Sequence, residues 1–238
     1  MITGGHSISY GHKRIPYRLE RRARKTLEIA VEPDMSVSVA APLNATIEDI
    51  EKKLKKRAAW ITRQQSFFMQ FIPRTPSRKY IGGETHLYLG RQYRLKIEPD
   101  IIDHVRYFRG RIWVSTTRPK STTHTKELVK AWYKERAKIK LGERLIECQK
   151  RFPNIKKVEP RAVTMRAMRR RWGSMTPTGQ LNLNIRLVEA PVDAIDYVIT
   201  HELCHIREPN HSSAFFDYLT EVMPDWQSRK AHLERVLA

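Results

Sequence analysis

His201-Glu202-Leu203-Cys204-His205, with His211 six residues beyond the second histidine, is the stretch on which the reading of this chain turns. Residues four apart share one face of an α-helix and lie about 6 Å apart along its axis, so a helix here aims the imidazoles of His201 and His205 at one point. Glu202 lies beside the first of them, at an offset where a carboxylate reaches a water at that point without being a ligand. Pro209 and Asn210 break the helix, and a turn there brings His211 back over the same point. Three imidazoles suit Zn²⁺ and leave its fourth tetrahedral position open, which marks a catalytic rather than a structural site. HExxH also arises by chance on amphipathic helices. The third histidine, the helix break and the apolar Ala194 and Val198 on the metal face argue against chance here.

Outward from this motif, charge is the next signal. The 238 residues carry 45 Lys and Arg against 25 Asp and Glu, a net of +20. The segment from Pro191 to Ala238 is mildly acidic at −4, so the first 190 residues carry +24. This asymmetry predicts a basic body that meets nucleic acid or an acidic protein, or is merely a solvated surface, beside a catalytic end of different character. Candidate nucleic-acid contacts are Lys52, Lys53, Lys55, Lys56 and Arg57, with Arg169 and Arg170. Only Cys148 and Cys204 are present, without CxxC spacing, which excludes a disulfide framework and a cysteine zinc knuckle. No apolar signal core or long apolar run occurs, so a cytoplasmic protein with no membrane contact is expected. Oligomeric state is not legible.

The pattern along the chain is α+β. The polar first dozen residues are expected to be loosely ordered. Leu27, Ile29 and Val31, a turn at Glu32-Pro33-Asp34, then Val37, Val39 and Ala41 read as a β-hairpin. Thr46 with Asp49 starts a long amphipathic helix carrying Ile47, Ile50, Leu54 and Ile61 and ending before Pro73. Hairpins follow at 87–97 and 105–114, without a convincing sequence repeat. Residues 1–120 thus form a basic β-rich region with one long helix. From Thr123 the period becomes helical through Leu128, Trp132, Ile139, Leu145, Cys148 and Phe152, up to Pro153. Strands are expected at 161–166 and 181–185, flanking the loop Arg169 to Gly179. Pro191 begins the HExxH helix, and two short helices close residues 121–238 as a second domain.

Several blocks resemble one known family. Arg171-Trp172-Gly173-Ser174, Leu181-Asn182-Leu183-Asn184-Ile185-Arg186-Leu187, the stretch Asp196 to His205, Asn210-His211-Ser212 and Met223-Pro224-Asp225 are similar to the YgjP-like metallopeptidases, relatives of the SprT-type zinc proteases. The resemblance extends over nearly the whole chain, with its specific blocks at the C-terminal end. It implies a zincin-like C-terminal domain and metal-dependent proteolysis. The family usually has cysteine where this chain has Met175; three histidines suffice for a metal, so a packing role is assigned to that position. The histidine spacing equals that of metzincins, but Glu208 occupies their glycine position.

The expectation is therefore a Zn²⁺-dependent metallopeptidase that hydrolyses peptide bonds with a metal-activated water and Glu202 as general base, held by His201, His205 and His211. Trp172, Asn182, Asn184 and Arg186 are the candidate substrate-binding residues, with the strand Leu181 to Ile185 as cradle for an extended peptide. Arg171 or Arg186 either stabilises an oxyanion or pairs with Asp196. Alternatives are a basic nucleic-acid-binding protein with a structural zinc site, a protease recruited by DNA, and a zinc hydrolase of non-peptide amides.

Overall fold

The computed structural model describes residues 3–32, 34–69, 78–168 and 171–237. It is a mixed α+β protein of two compact units, Met1–Thr75 and Pro76–Leu237. The sequence reading draws a boundary at 120/121. The contacts draw it at 75/76, because the sheet that follows residue 84 shares its core with the helices of the metal motif.

The first unit is a four-stranded sheet and one helix. Strands β1 (Thr3–Tyr10), β2 (Lys13–Arg22), β3 (Glu28–Val31) and β4 (Val37–Pro42) lie in the order β1-β2-β4-β3, with β2 and β4 parallel. The polar opening segment is thus an edge strand, not loose chain. Among its described side chains Ile8 is the buried one, and His6 stacks on Tyr17 at 5.5 Å. Ile15, Tyr17 and Leu19 alternate inward on β2 and meet Ile50, Leu54, Ala58 and Ile61 of helix α1 (Ile47–Met69). The Thr46 hydroxyl accepts from the Asp49 amide at 3.1 Å and so fixes where α1 begins.

The second unit repeats that topology before adding to it. Strands β5 (Thr85–Tyr88), β6 (Arg91–Pro99), β7 (His104–Phe108) and β8 (Arg111–Thr116) take the order β5-β6-β8-β7, again two antiparallel hairpins joined through parallel central strands. A helix again follows, α2 (Thr122–Gln149), capped by the Ser121 hydroxyl. The repeat is invisible in residue identities because only burial alternation is shared. In α2 the apolar face runs through Val129, Trp132, Tyr133, Ala137, Leu141, Leu145 and Cys148, whereas Ile139 is 41% exposed; the expected helical stripe was out of phase at that residue.

A three-stranded sheet, β10-β11-β9, completes the unit: β9 (Ala162–Arg166), β10 (Gly173–Met175) and β11 (Gln180–Asn184). The loop expected between two strands therefore contains a strand of its own. Helix α3 (Val192–Cys204) packs beside it, and α4 (Ser213–Val222) and α5 (Trp226–Leu237) pack on α3. The start of α3 is fixed by the β5–β6 turn. Leu89 and Gly90 donate to the carbonyls of Val188 and Glu189, and a Cβ on Gly90 would lie 2.7 Å from Pro191.

Beneath α3 the buried Asp196 takes a two-pronged hydrogen bond from Arg144 at 2.7 and 2.8 Å, and Arg151 and Arg229 stand 3.3 and 3.8 Å away. The expected pairing of Asp196 with Arg171 or Arg186 is replaced by this cluster, whose arginines come from α2, the residues after it and α5. Removing this carboxylate leaves Arg144 and Arg151 without it, while Arg229 keeps Asp225 at 2.8 Å. Asp196→Ala is expected to lower stability by about 2–3 kcal/mol, discounted for the partial exposure of the arginines. A urea midpoint unchanged from wild type would refute that.

Candidate metal centre and active site

Three elements bring the histidines together. His201 lies in the last turn of α3, His205 is its C-cap, and His211 stands just before α4. The helix stops at Cys204, ahead of the Pro209-Asn210 break that the sequence suggested. Turn bonds from Ile206, Arg207 and Glu208 to the carbonyls of Leu203 and Cys204 close it, and the Ser212 hydroxyl, accepting from Phe215, opens α4.

One potential ligand atom from each of the three histidines lies within 4.8 Å of the others. The Nε2 atoms of His201 and His211 are 2.9 Å apart. Tetrahedral Zn²⁺ ligands about 2.0–2.1 Å from the ion stand about 3.3 Å from one another, so small ring movements suffice to seat it. His205 directs Nδ1 at the carbonyl of Glu208, 3.0 Å away, which fixes the ring and frees Nε2 as a donor to a cation. His201 Nδ1 is buried without a hydrogen-bond partner. Burial, reinforced by His205 and His211, holds His201 down to about 3, and burial also lowers His211. Uncharged His201 and His211 rings whose Nε2 atoms face each other, with His205 beside them, fit a divalent metal of the zinc type.

The three imidazoles share one floor. Phe215, fully buried, stacks on His205 at 4.6 Å and meets His201 and His211 edge-on at 4.9 and 4.8 Å. Phe215 belongs to α4, four residues after His211, so its place under the rings depends on the turn between α3 and α4 and forms no local motif.

Glu202 is 7% exposed, and burial pushes its carboxyl up to about 7, with the Met175 N–H donating to it in opposition. It points at β10. A Cβ added to Gly173 would stand 2.7 Å from Glu202 Cγ and 2.8 Å from Oε1. Only glycine leaves the carboxylate its place. Sequence reasoning singled out the Arg-Trp-Gly-Ser block but did not assign Gly173 or the Met175 amide to Glu202. The Met175 side chain itself packs against the core.

The profile described as YgjP-like, metallopeptidase domain, matches residues 25–236. The chain belongs to the YgjP-like metallopeptidase family. Among curated proteins none matches it. Of solved structures, the metallopeptidase zymogen abylysin of Pyrococcus abyssi matches with a TM-score of 0.35 and 16% identity, over 41% of this chain and 94% of that one.

In this YgjP-like protein the other candidate residues fall into separate groups. Asn182 and Asn184 are 4% and 2% exposed. Asn184 donates to the carbonyls of Met168 and Arg171 and accepts from the Arg186 amide; Asn182 bonds Ser174 and Gln180. Their amides thus stitch the sheet and its loop. Strand β11 is paired on both sides, so the expected cradle at 181–185 has no free edge. The edge beside Glu202 belongs to β10. Arg186 bonds Glu189 and lies 5.6 Å over the Trp172 ring. Lys52, Lys53, Lys55, Lys56 and Arg57 are exposed on α1, while Arg169 and Arg170 lie outside the described residues. Among the described residues no helix is long and apolar enough to cross a membrane.

Proposed function

We propose that this member of the YgjP-like metallopeptidase family is a zinc-dependent peptidase of the zincin type with Glu202 as its general base. The observation that carries the reading is a pair of features: three imidazoles converging on a point, and a buried carboxylate next in sequence to the first of them, held by a backbone amide and outside that group of three.

His201, His205 and His211 hold the metal through ring nitrogens, with His205 oriented by Glu208. Zn²⁺ bound there supplies a Lewis acid that polarises a carbonyl oxygen and acidifies water. Glu202 takes the proton of the attacking water, and the water oxygen bonds to the scissile carbonyl carbon. The same carboxyl then delivers that proton to the departing amine nitrogen as the C–N bond breaks. Phe215 closes the floor against bulk water. Apart from the Met175 N–H that Glu202 takes, the outward groups of β10 face no strand among the described residues, which makes its edge the candidate cradle for an extended peptide in place of β11. Trp172, held under Arg186, flanks that strand. Two buried free cysteines suit a reducing compartment and so a cytoplasmic enzyme.

The test is metal removal. Purified protein is expected to hold about one zinc per chain and to cleave members of a proteome-derived peptide library. A chelator should abolish cleavage, and added Zn²⁺ should restore it, while His205→Ala should lose most of the bound metal. Cleavage that persists in metal-free protein would rule this function out.

A further inference from the structure

The sheet β5-β6-β8-β7 buries one face against α2 through Tyr88, Leu95, Ile112 and Val114. Register fixes what the opposite face carries. Lys96 of β6 stands beside Trp113 of β8, and Trp113 beside Arg106 of β7. Two residues along, Arg94 stands beside Arg111, and Arg111 beside Phe108. Two neighbouring rows therefore read Lys96-Trp113-Arg106 and Arg94-Arg111-Phe108, four cations and two aromatic rings, with Arg109 lying 5.1 Å over the Phe108 ring; the acid of the next row, Glu98, accepts from Ser115 at 3.1 Å.

All four cations are exposed, Phe108 is 50% exposed, and Trp113 is partly exposed and outside the buried cluster. The indole is held in place. Its Nε1 donates to the Phe108 carbonyl at 3.3 Å, and the Lys96 ammonium lies 4.0 Å from the ring centroid. None of the ion pairs of the described residues involves Arg94, Lys96, Arg106 or Arg111. Like charges directly opposite on a sheet destabilise it, so the Arg94–Arg111 pairing works against the fold and contributes nothing to the core. A polyanion laid across the face removes that repulsion.

We propose that this sheet face binds single-stranded nucleic acid, with phosphates on Arg94, Lys96, Arg106 and Arg111 and bases stacked on Trp113 and Phe108. The chemistry selects the occupant. Phosphates of any nucleic acid answer the cations, but only unpaired bases can lie on a ring at the middle of a flat sheet. A duplex keeps its bases stacked inside, and an acidic peptide leaves the indole unused. Lys96, on a flexible stem, moves from the ring to a phosphate as a base arrives. The α1 cations Lys52 to Arg57, by contrast, present charge without an aromatic surface between them. The proposal is independent of the metal site.

The measurement is fluorescence anisotropy of a labelled thymidine or uridine 12-mer with the full-length protein, across salt concentrations and against a duplex of equal length. Single strands should bind more tightly than duplex, with affinity falling at a log–log salt slope of about −3 for four phosphates. Trp113→Leu should weaken binding by about tenfold and Trp113→Phe far less, since one base–ring contact is removed in the first and kept in the second. Arg106→Ala, at an exposed edge-strand position that folding does not need, should weaken binding and flatten the slope by about 0.7. Lys53→Glu with Lys56→Glu on α1 should change affinity much less than Arg94→Glu with Arg111→Glu. Equal affinity for duplex and single strand with Trp113→Leu unaffected would overturn the proposal, as would absence of binding or a larger loss from the α1 pair.

Discussion

Glu202→Gln is expected to lower kcat/KM for peptide cleavage by about a thousandfold while the protein keeps its zinc and its fold. Glutamine preserves the volume of the side chain and an oxygen to accept the Met175 N–H, but it cannot take a proton from water. Removal of a positioned general base costs about 10²–10⁴ in rate, and the buried, half-enclosed setting of Glu202 puts this case in the middle of that range. Metal content should be unchanged because the proposed ligand atoms belong to the three histidines alone. Thermal stability should hold or rise slightly, since a neutral amide is easier to bury than a carboxylate that burial already pushes up to about 7. The decisive readout is the pair of measurements, zinc per chain and cleavage rate. A variant that binds zinc and cleaves at the wild-type rate would remove Glu202 from the chemistry; a variant that loses zinc would make it a ligand.

The difference between what the sequence shows and what it hides follows from sequence distance. His201, Glu202 and His205 lie within one helical turn, and His211 within one loop, so local geometry alone brings their rings together. The mixed α+β character is legible for the same reason, because alternation and helical period are local patterns. Pairing across the chain is not. That β6 and β8 run parallel, that β1 is a paired edge strand, and that three arginines from distant segments meet at Asp196 all depend on contacts that no window of residues contains. Ile139 shows the limit from the other side: it fits a helical stripe by residue type, yet the phase of α2 is set by its partners, Val188 and Leu187 among the buried residues near it, and leaves Ile139 in water. Asn182 and Asn184 look like substrate contacts because polar residues alternating with leucines are typical of a half-exposed strand. Here a second sheet neighbour, β10, and a loop beyond it absorb their amides.

Gly173→Ala should reproduce much of the Glu202 defect without touching a catalytic group. The added methyl would lie 2.7 Å from Glu202 Cγ, 2.8 Å from Oε1 and 3.0 Å from Cδ. Three contacts at or below 3.0 Å cannot be absorbed by a rotation of the carboxylate tip, because Cγ is among them. Either β10 moves outward, breaking the Met175 amide's hold, or Glu202 adopts another rotamer. Both displace the base by roughly 1 Å, and a displacement of that size costs about a hundredfold in rate. Zinc content should stay at the wild-type level, because the three atoms nearest the added methyl belong to Glu202 and not to a proposed ligand. A merely structural defect would lower activity in every background. A positional one would not: in Glu202→Gln protein, whose proton transfer is already lost, adding Gly173→Ala should change the residual rate by less than about twofold. If Gly173→Ala keeps full activity, the close approach of β10 to Glu202 is not needed for catalysis. If instead the two substitutions multiply, glycine serves the fold and not the base, and the edge of β10 loses its place in the mechanism.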